Sequence, residues 1–309
     1  MRVAVIGAGG IGGYFGASLA RAGHDVHFLA RGDHLEAIQA SGLRIVEPDG
    51  NWTVRVPASA RIEEISRADF AIVAVKSYSL AEVAEAVGKV ASAGAVIVPL
   101  LNGVEAFEFL TARGVPGESI VPGLAVISVE RTAPREITLR SPFKTVVLGE
   151  RAGGRSDRAA AIASAFSDSG VDARASEDIT LDLWRKFLFL ASMAAACGLA
   201  RAPIGPVRTA PLGRRLLERA VAEIAAVARA RGVAFPPGEE ERVLERMSVL
   251  PASMKPSFLL DVERGGPTEL DVLSGAVSRY GSAVGVDTPI HDAVTAAISA
   301  SLVSRHPGA

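Results

Sequence analysis

The chain has 309 residues, 33 basic and 34 acidic, for a net charge of −1. That balance, with no basic block and no acidic tail, leaves no electrostatic footprint for nucleic acid or an anionic membrane. Cys197 is the sole cysteine, so no intrachain disulfide can form, and the length is ample for two domains.

The N-terminal segment Arg2–Ile6 is a short β-branched run. It leads into Gly7-Ala8-Gly9-Gly10-Ile11-Gly12, a G-x-G-x-x-G that opens a helical stretch from Ile11 to Ala22, ended by Gly23. A second strand is expected from Asp25 to Leu29. The motif alone is weak, but strand, glycine turn, helix and strand at this spacing make a dinucleotide site. Gly7 permits the tight turn, Gly9 lets the backbone approach a pyrophosphate, and Gly12 lets the helix sit close on the sheet. The helix N-terminus offers free N–H groups to phosphate, so Gly7, Ala8, Gly9, Gly10, Ile11 and Gly12 are the expected cofactor-binding backbone.

The second strand ends in Ala30-Arg31-Gly32, without the Asp or Glu that would accept bonds from a ribose 2′-OH. Arg31 can instead pair with a 2′-phosphate through a charge-assisted fork, which points to NADP(H). Asp33 reads as a helix N-cap, because Asp33-His34-Leu35-Glu36 has capping-box spacing.

Further along, Phe70–Val75 and Ala95–Val98 read as buried parallel strands, with helices from Ser79 to Val90 and from Val104 to Ala112. Lys76 follows the first strand. Asn102 follows the second, in Pro99-Leu100-Leu101-Asn102-Gly103. Both stand at the carboxyl edge where such sheets bind ligands, although a loop lysine and a turn-forming Asn-Gly are the plain alternatives. From Ile120 to Gly149 the pattern turns to β, with strands expected at 125–129, 136–140 and 145–148. A helix over 157–169 and an extended piece to Ala175 follow.

After Ser176 the pattern is helical throughout, over about 179–199, 211–231, 239–246, 268–280 and 289–304. The expected fold class is therefore α/β. A Rossmann-type dinucleotide-binding domain should cover 1–175 and an all-helical C-terminal domain 176–309, with substrate between them over the strand ends. The uncharged stretch Phe187–Ala200, 14 residues long, is too short to span a bilayer. The N-terminus has no signal-peptide layout, so a cytoplasmic protein is expected. Five scattered histidines show no metal-ligand spacing, and no metal is expected.

Arginine supplies 28 of the 33 basic residues, leaving Lys76, Lys89, Lys144, Lys186 and Lys255. Lysine can surrender its proton when its surroundings lower its pKa, whereas arginine cannot, so proton chemistry should sit at a lysine. Leu183, Lys186, Phe187 and Leu190 are spaced to share one helix face. On so apolar a face Lys186 is either desolvated, with its pKa lowered, or it snorkels its stem to water. Glu269, in Gly265-Gly266-Pro267-Thr268-Glu269-Leu270-Asp271, follows Thr268 as N-cap, a place the helix dipole alone would favour. Ser257 is a lone serine after a proline and carries no pattern of its own.

Taken together these residues closely resemble the ketopantoate reductase (2-dehydropantoate 2-reductase) family. The resemblance runs through Gly7–Gly12, Ala30-Arg31-Gly32, Val75-Lys76, Leu101-Asn102-Gly103, Leu183-Trp184-Arg185-Lys186, Ser257–Asp261, Thr268–Asp271, Ser274-Gly275 and Thr288-Pro289. It implies NADPH-dependent reduction of a 2-oxo acid to a 2-hydroxy acid, 2-dehydropantoate to pantoate in pantothenate biosynthesis. It implies further that Lys186 is the general acid, that Glu269 orients the lysine and the bound cofactor and substrate, and that Ser257 holds substrate. Lys76 and Asn102 would contact cofactor and bridge it to substrate.

Family members commonly carry asparagines four and eight residues after the lysine. Here those positions are Leu190 and Ala194, which should line the substrate with an apolar wall. A more apolar 2-oxo acid or another carbonyl compound is the alternative substrate. A non-catalytic NADP(H)-binding redox sensor is the alternative from another class, and the retained lysine and glutamate count against it. The expected partner is a small 2-oxo acid, with no nucleic acid and no membrane, and a homodimer is left open.

Overall fold

The computed structural model describes residues 1–65 and 67–305. The chain divides into two compact units. Met1–Leu101 with Ala106–Asp182 form the first, and Asn102–Glu105 with the residues from Leu183 onward form the second. The division expected between 175 and 176 thus falls later, after Asp182, because Asp182 is tied to the first unit. It accepts hydrogen bonds from Arg174 at 3.0 Å and from Ser176 at 2.6 Å.

In the first unit the elements are β1 (Arg2–Ile6), α1 (Gly10–Arg21), β2 (Asp25–Leu29), α2 (Gly32–Ser41), β3 (Leu43–Val46), β4 (Trp52–Val54) and β5 (Ala58–Ser59). There follow β6 (Phe70–Val73), α3 (Leu80–Ser92), β7 (Val96–Pro99), α4 (Ala106–Thr111), β8 (Gly123–Ala133), β9 (Glu136–Leu148), α5 (Asp157–Asp168) and β10 (Asp172–Ala175). Strands β5-β2-β1-β6-β7 make a parallel sheet, with Arg2 beside Asp25 and Ile6 beside both Leu29 and Val73.

Alternate residues of that sheet feed two cores. Val3, Val5, Phe70 and Ile72 join Phe15 of α1 and Phe166 of α5, while Ala4, Ile6, Ala71 and Val73 join Val87 of α3 and Leu110 of α4. A sheet buried on both faces needs apolar residues at every position, which is why β1 and β6 read as unbroken runs.

The second sheet, in the order β10-β9-β3-β4 with β8 also on β9, was legible only in part. Strands β3 and β4 have four and three residues, too few for a period-two pattern to show, as does the two-residue β5 at the edge of the first sheet. The separate strands expected at 136–140 and 145–148 are one strand, β9, which runs through Pro142. Ser141 makes this workable: its hydroxyl accepts from the Ser128 amide at 2.9 Å and donates to the Phe143 carbonyl at 2.8 Å, beside a register shift at Ile127/Val129. Proline in a strand is tolerated at such an irregularity. Asp33 is not the N-cap of α2, which starts at Gly32 with Arg31 in the capping position. Asp33 sits in the first turn, where a carboxylate is favoured by the helix dipole instead.

The second unit is helical. After α6 (Ile179–Ala200) come α7 (Ile204–Thr209), α8 (Pro211–Ala230), α9 (Glu239–Ser248) and α10 (Ser257–Arg264). A π-helical turn (Asp271–Gly275), α11 (Ala276–Val284) and α12 (Pro289–Arg305) complete it. Helix α8 starts on Pro211 and buries Leu217, Ala220, Val221, Ile224, Ala225, Val227 and Ala228, the stripe of a core-facing helix. By length and composition α6 could cross a membrane, but 61% of its apolar window is buried within the protein, as in a core helix.

The single helix expected over 268–280 differs at its start. The Gly275 amide reaches back five residues to the Leu270 carbonyl at 3.0 Å, giving the wider π turn. Thr268 lies ahead of that turn and accepts from the Leu270 amide at 3.4 Å, so it does not cap a regular helix.

Candidate active site

The glycine turn is built as its spacing requires, with a different reason at each position. Gly7 has a φ of +103°, and a Cβ there would stand 2.7 Å from Val75 Cγ1 and 2.9 Å from the Ala74 carbonyl. At Gly12 a Cβ would stand 2.1 Å from the Gly7 carbonyl oxygen, so only glycine lets α1 pack this closely on β1. At Gly10 it would meet the Val129 carbonyl of β8 at 2.6 Å, whereas at Gly9 it would meet nothing within 4 Å. The open position is the one the sequence reading assigned to the pyrophosphate. Ala8 and Ile11 stand between these glycines at the start of α1, and the backbone from Gly7 to Gly9 lines a groove of about 490 Å³. The groove fits a dinucleotide: an open cradle of backbone amides beside a helix N-terminus, with cations along its wall.

Arg31 lines the same groove from the end of β2, with Nη1 2.9 Å from Glu82 Oε2 and the rest of its guanidinium exposed. One of its five N–H groups is engaged, which leaves the others for a phosphate. Glu82 was missed at the sequence level, because nothing in the spacing from 31 to 82 announces the pair.

His34 was also missed as a site residue. It is 3% exposed, its Nε2 lies 2.7 Å from the Ala8 carbonyl oxygen, and its Nδ1 accepts from the Arg135 amide at 2.9 Å. With Nδ1 accepting, the proton belongs on Nε2, which donates to Ala8. Burial lowers its pKa, the Ala8 hydrogen bond opposes that, and the nearby Arg131 charge lowers it further. A neutral imidazole therefore fastens the glycine turn to α2 and to the β8–β9 turn.

Lys76 is exposed beyond the end of β6 and precedes the 3₁₀ turn Ser77–Ser79.

The second unit holds the polar centre. Lys186 Nζ donates to Asn102 Oδ1 at 3.2 Å, and Asn102 Nδ2 donates to Glu269 Oε2 at 3.0 Å. Residues 102, 186 and 269, far apart in the chain, thus form one hydrogen-bonded line. Burial lowers the Lys186 pKa to about 8, against the Glu269 carboxylate, which raises it. Glu269 is 4% exposed and stands just ahead of the π turn, where its carbonyl accepts from the Leu273 amide at 3.1 Å.

Neighbouring ion pairs fix the line. Arg279 Nη2 lies 2.8 Å from Glu105 Oε2, and Arg279 also pairs with the Asp271 carboxylate and donates to its carbonyl at 3.0 Å. Gly103 brings the Asn102 turn so near the π turn that a Cβ would stand 3.0 Å from the Val272 carbonyl oxygen. These ties hold Asn102 and Glu269 facing one another. Glu105 and Arg279 carried no sequence signal, since an arginine and a glutamate on amphipathic segments look like any solvated pair.

Around the lysine, Trp184 packs edge-on against Phe187 with ring centres 5.6 Å apart, and Arg185 pairs with the buried Glu239 at 3.2 Å. Leu190 and Ala194 continue the Lys186 face of α6, Leu190 half-buried and Ala194 1% exposed. Ser257 is exposed at the first residue of α10 and is not hydrogen-bonded to the trio. Among the described residues no group of three or more His, Cys, Asp or Glu side chains could hold a metal ion.

The comparisons with known proteins converge. The family model described as ketopantoate reductase PanE/ApbA matches residues 3–153, and its C-terminal counterpart matches residues 178–301. The chain is 34% identical over 296 residues to an oxidoreductase of Bacillus subtilis strain 168 named YkpB, covering 96% of this chain and 97% of that one. It is 32% identical over 326 residues to a 2-dehydropantoate 2-reductase of Mesorhizobium japonicum, covering 99% of each. Among solved structures, a 2-dehydropantoate 2-reductase from Geobacter metallireducens GS-15 superposes with a TM-score of 0.89 at 29% identity, covering 97% of this chain and 100% of that one. With both halves matched and the glycine turn in place, this chain belongs to the ketopantoate reductase family of oxidoreductases.

Proposed function

We propose that the protein reduces the keto group of a 2-oxo acid with NADPH, and that 2-dehydropantoate is the first substrate to try. The observation that carries this reading is the line Lys186–Asn102–Glu269, a lysine of lowered pKa tied through an amide to a buried carboxylate. Bound NADPH supplies a hydride to the carbonyl carbon. Lys186 supplies the rest: its ammonium donates to the carbonyl oxygen, stabilises the negative charge that grows there, and gives up a proton as the C–O bond becomes single. A pKa of about 8 suits that task, since the group is charged near neutrality yet close to releasing its proton. Asn102 fixes where Nζ points, and the Glu269 charge keeps the lysine protonated in a setting that would otherwise neutralise it.

In this reading the Gly7–Gly12 backbone holds the pyrophosphate, Arg31 the 2′-phosphate, and Lys76 with Asn102 the part of the cofactor facing the substrate. Ser257 helps hold the substrate. Leu190 favours a second reading, in which the substrate is a more apolar 2-oxo acid, whereas Ala194, expected beside it, is 1% exposed and presents no surface to a substrate. Beyond Lys186 the accessible helix face offers only hydrocarbon, and a substrate hydroxyl left without a partner costs discrimination. Turnover of NADPH with a panel of 2-oxo acids tests both. Efficient use of 2-dehydropantoate and rejection of its deoxy analogue would remove the apolar reading. Preference for the deoxy analogue, reversed by Leu190→Asn, would establish it. No turnover of any panel member, with NADPH still bound, would favour a redox sensor.

A further inference from the structure

The groove beside the glycine turn contains a cation that neither the sequence motif nor the family match singles out. Arg131 lines it from β8, in the sheet that packs across α1. Its placement follows from the strand register. Arg131 pairs with Ile137 across β8–β9, and directly paired residues share a face. Ile137 faces α1, where a Cβ at Gly13 would meet its side chain at 2.9 Å, and Val129, two residues before Arg131, packs on the core that holds Tyr14 and Phe15 of α1 while its carbonyl meets the helix start at Gly10. Arg131 is therefore on the α1 side of the sheet, next after the contact with the helix N-terminus. A register shift between Arg131 and Ala133 ends the regular pairing there. Its charge is also felt at His34, the residue bonded to the Ala8 carbonyl.

The charge census of the groove sets Arg131 apart. Arg31 is paired with Glu82 at 2.9 Å, Arg61 with Glu64 at 3.7 Å, and Lys89 with Glu85 at 2.8 Å and Glu63 at 3.0 Å. Arg131 is exposed, and its neighbour Glu130 pairs with Arg140 at 3.9 Å; among the described residues no carboxylate is paired with Arg131. A carboxylate-paired cation contributes little net field, so most of the unbalanced positive charge on this wall comes from one residue.

We infer that Arg131 is a cofactor-binding residue, its guanidinium donating to a phosphate of the dinucleotide beside the Gly7–Gly9 backbone. The inference rests on the dinucleotide reading of that groove. A guanidinium matches phosphate oxygens with parallel N–H bonds, and an arm rooted in a strand reaches the turn without distorting it. Two phosphates are within the chemistry, the pyrophosphate and the adenosine 2′-phosphate, and two coenzymes that differ only in the latter separate them.

The test is fluorescence titration of NADPH and of NADH against wild type, Arg131→Ala and Arg131→Lys, with thermal melting in parallel. Loss of one charge-assisted phosphate contact should raise Kd about ten- to hundred-fold in Arg131→Ala and less in Arg131→Lys. The melting temperature should not move, since the side chain is exposed and unpaired. Equal weakening of NADPH and NADH supports the inference with the pyrophosphate as partner, and weakening of NADPH alone supports it with the 2′-phosphate. Arg131→Ala binding both coenzymes as wild type does would overturn it. A wild type that binds neither would instead overturn the dinucleotide reading on which it stands.

Discussion

The two units present their chemistry in different materials. The glycine groove of the first is made of backbone and exposed cations: a turn at Gly7, an open cradle at Gly9, a close approach at Gly12, and arginines reaching in from β2 and β8. The polar centre of the second is made of side chains from three distant stretches, with Glu269 at 4% exposure and Lys186 pulled down to about 8. Backbone cradles tolerate changes that keep the path of the chain, and they respond to mutation in binding. A half-buried polar line responds in rate, because each member holds another and removal leaves an unsatisfied group.

The sharpest break between the two should come from Lys186→Ala. General acid–base groups contribute roughly 10²–10⁴-fold, so kcat should fall by that much while the Kd for NADPH, measured by titration, stays at the wild-type value. Next in size is a contrast inside the groove. Gly12→Ala puts a methyl 2.1 Å from the Gly7 oxygen and should cost about 1–3 kcal/mol or more in denaturant unfolding. Gly9→Ala meets nothing within 4 Å and should melt like wild type while binding NADPH roughly tenfold or more worse, since its methyl stands where a phosphate must approach. Equal destabilisation by both would mean that Gly9 serves the fold and not the cofactor.

Glu269→Gln keeps the shape of the line and removes its charge. The carboxylate raises the Lys186 pKa, so without it the lysine should lose its proton at lower pH, and the alkaline fall of kcat should move towards neutrality. A change in melting temperature with no movement of that limb would make Glu269 structural.

The smallest effect concerns stability alone. His291 is fully buried, with Nδ1 3.2 Å from Ser274 of the π turn and Nε2 3.2 Å from the Ala220 carbonyl, and burial pushes its pKa down to about 4 from 6.5. A depressed folded pKa means that the unfolded chain takes the proton first. The contribution is complete above 6.5 and is lost as pH falls towards 4, by about 3 kcal/mol over the whole window. His24, His27 and His34 are lowered in the same direction, so only the part of the acid slope that disappears in His291→Asn belongs to this residue. An unchanged slope in that variant would show that His291 is not held neutral.

The same contrast explains what could be read before the structure. Gly7, Gly9 and Gly12 were legible because a turn, a strand and a helix within one βαβ stretch state their own context, and β2 was placed to the residue. Lys186 stood out because a lysine on an apolar helical face is an anomaly in itself. Its link to Asn102 and Glu269 was not legible from local pattern, since no periodicity joins residues so far apart, and only the family resemblance put them together. The capping roles given to Asp33 and Thr268 failed because cap spacing is satisfied by many segments that begin their helix a residue or more away. The π turn and the pairs of Arg31 with Glu82 and Arg279 with Glu105 depend on tertiary contacts that leave no trace in spacing.

One measurement bears most directly on the claim that Lys186 is the proton donor of a 2-oxo acid reductase. It is kcat for NADPH oxidation by the best 2-oxo acid of the panel, followed from pH 6 to 10 at saturating substrates, in wild type and in Lys186→Ala. The reduction needs the ammonium form, so wild-type kcat should be level below about 8 and fall tenfold per pH unit above it. Lys186→Ala should be slow and lack that limb. A wild-type profile that stays level to pH 10, or the same alkaline limb surviving in Lys186→Ala, would contradict the claim.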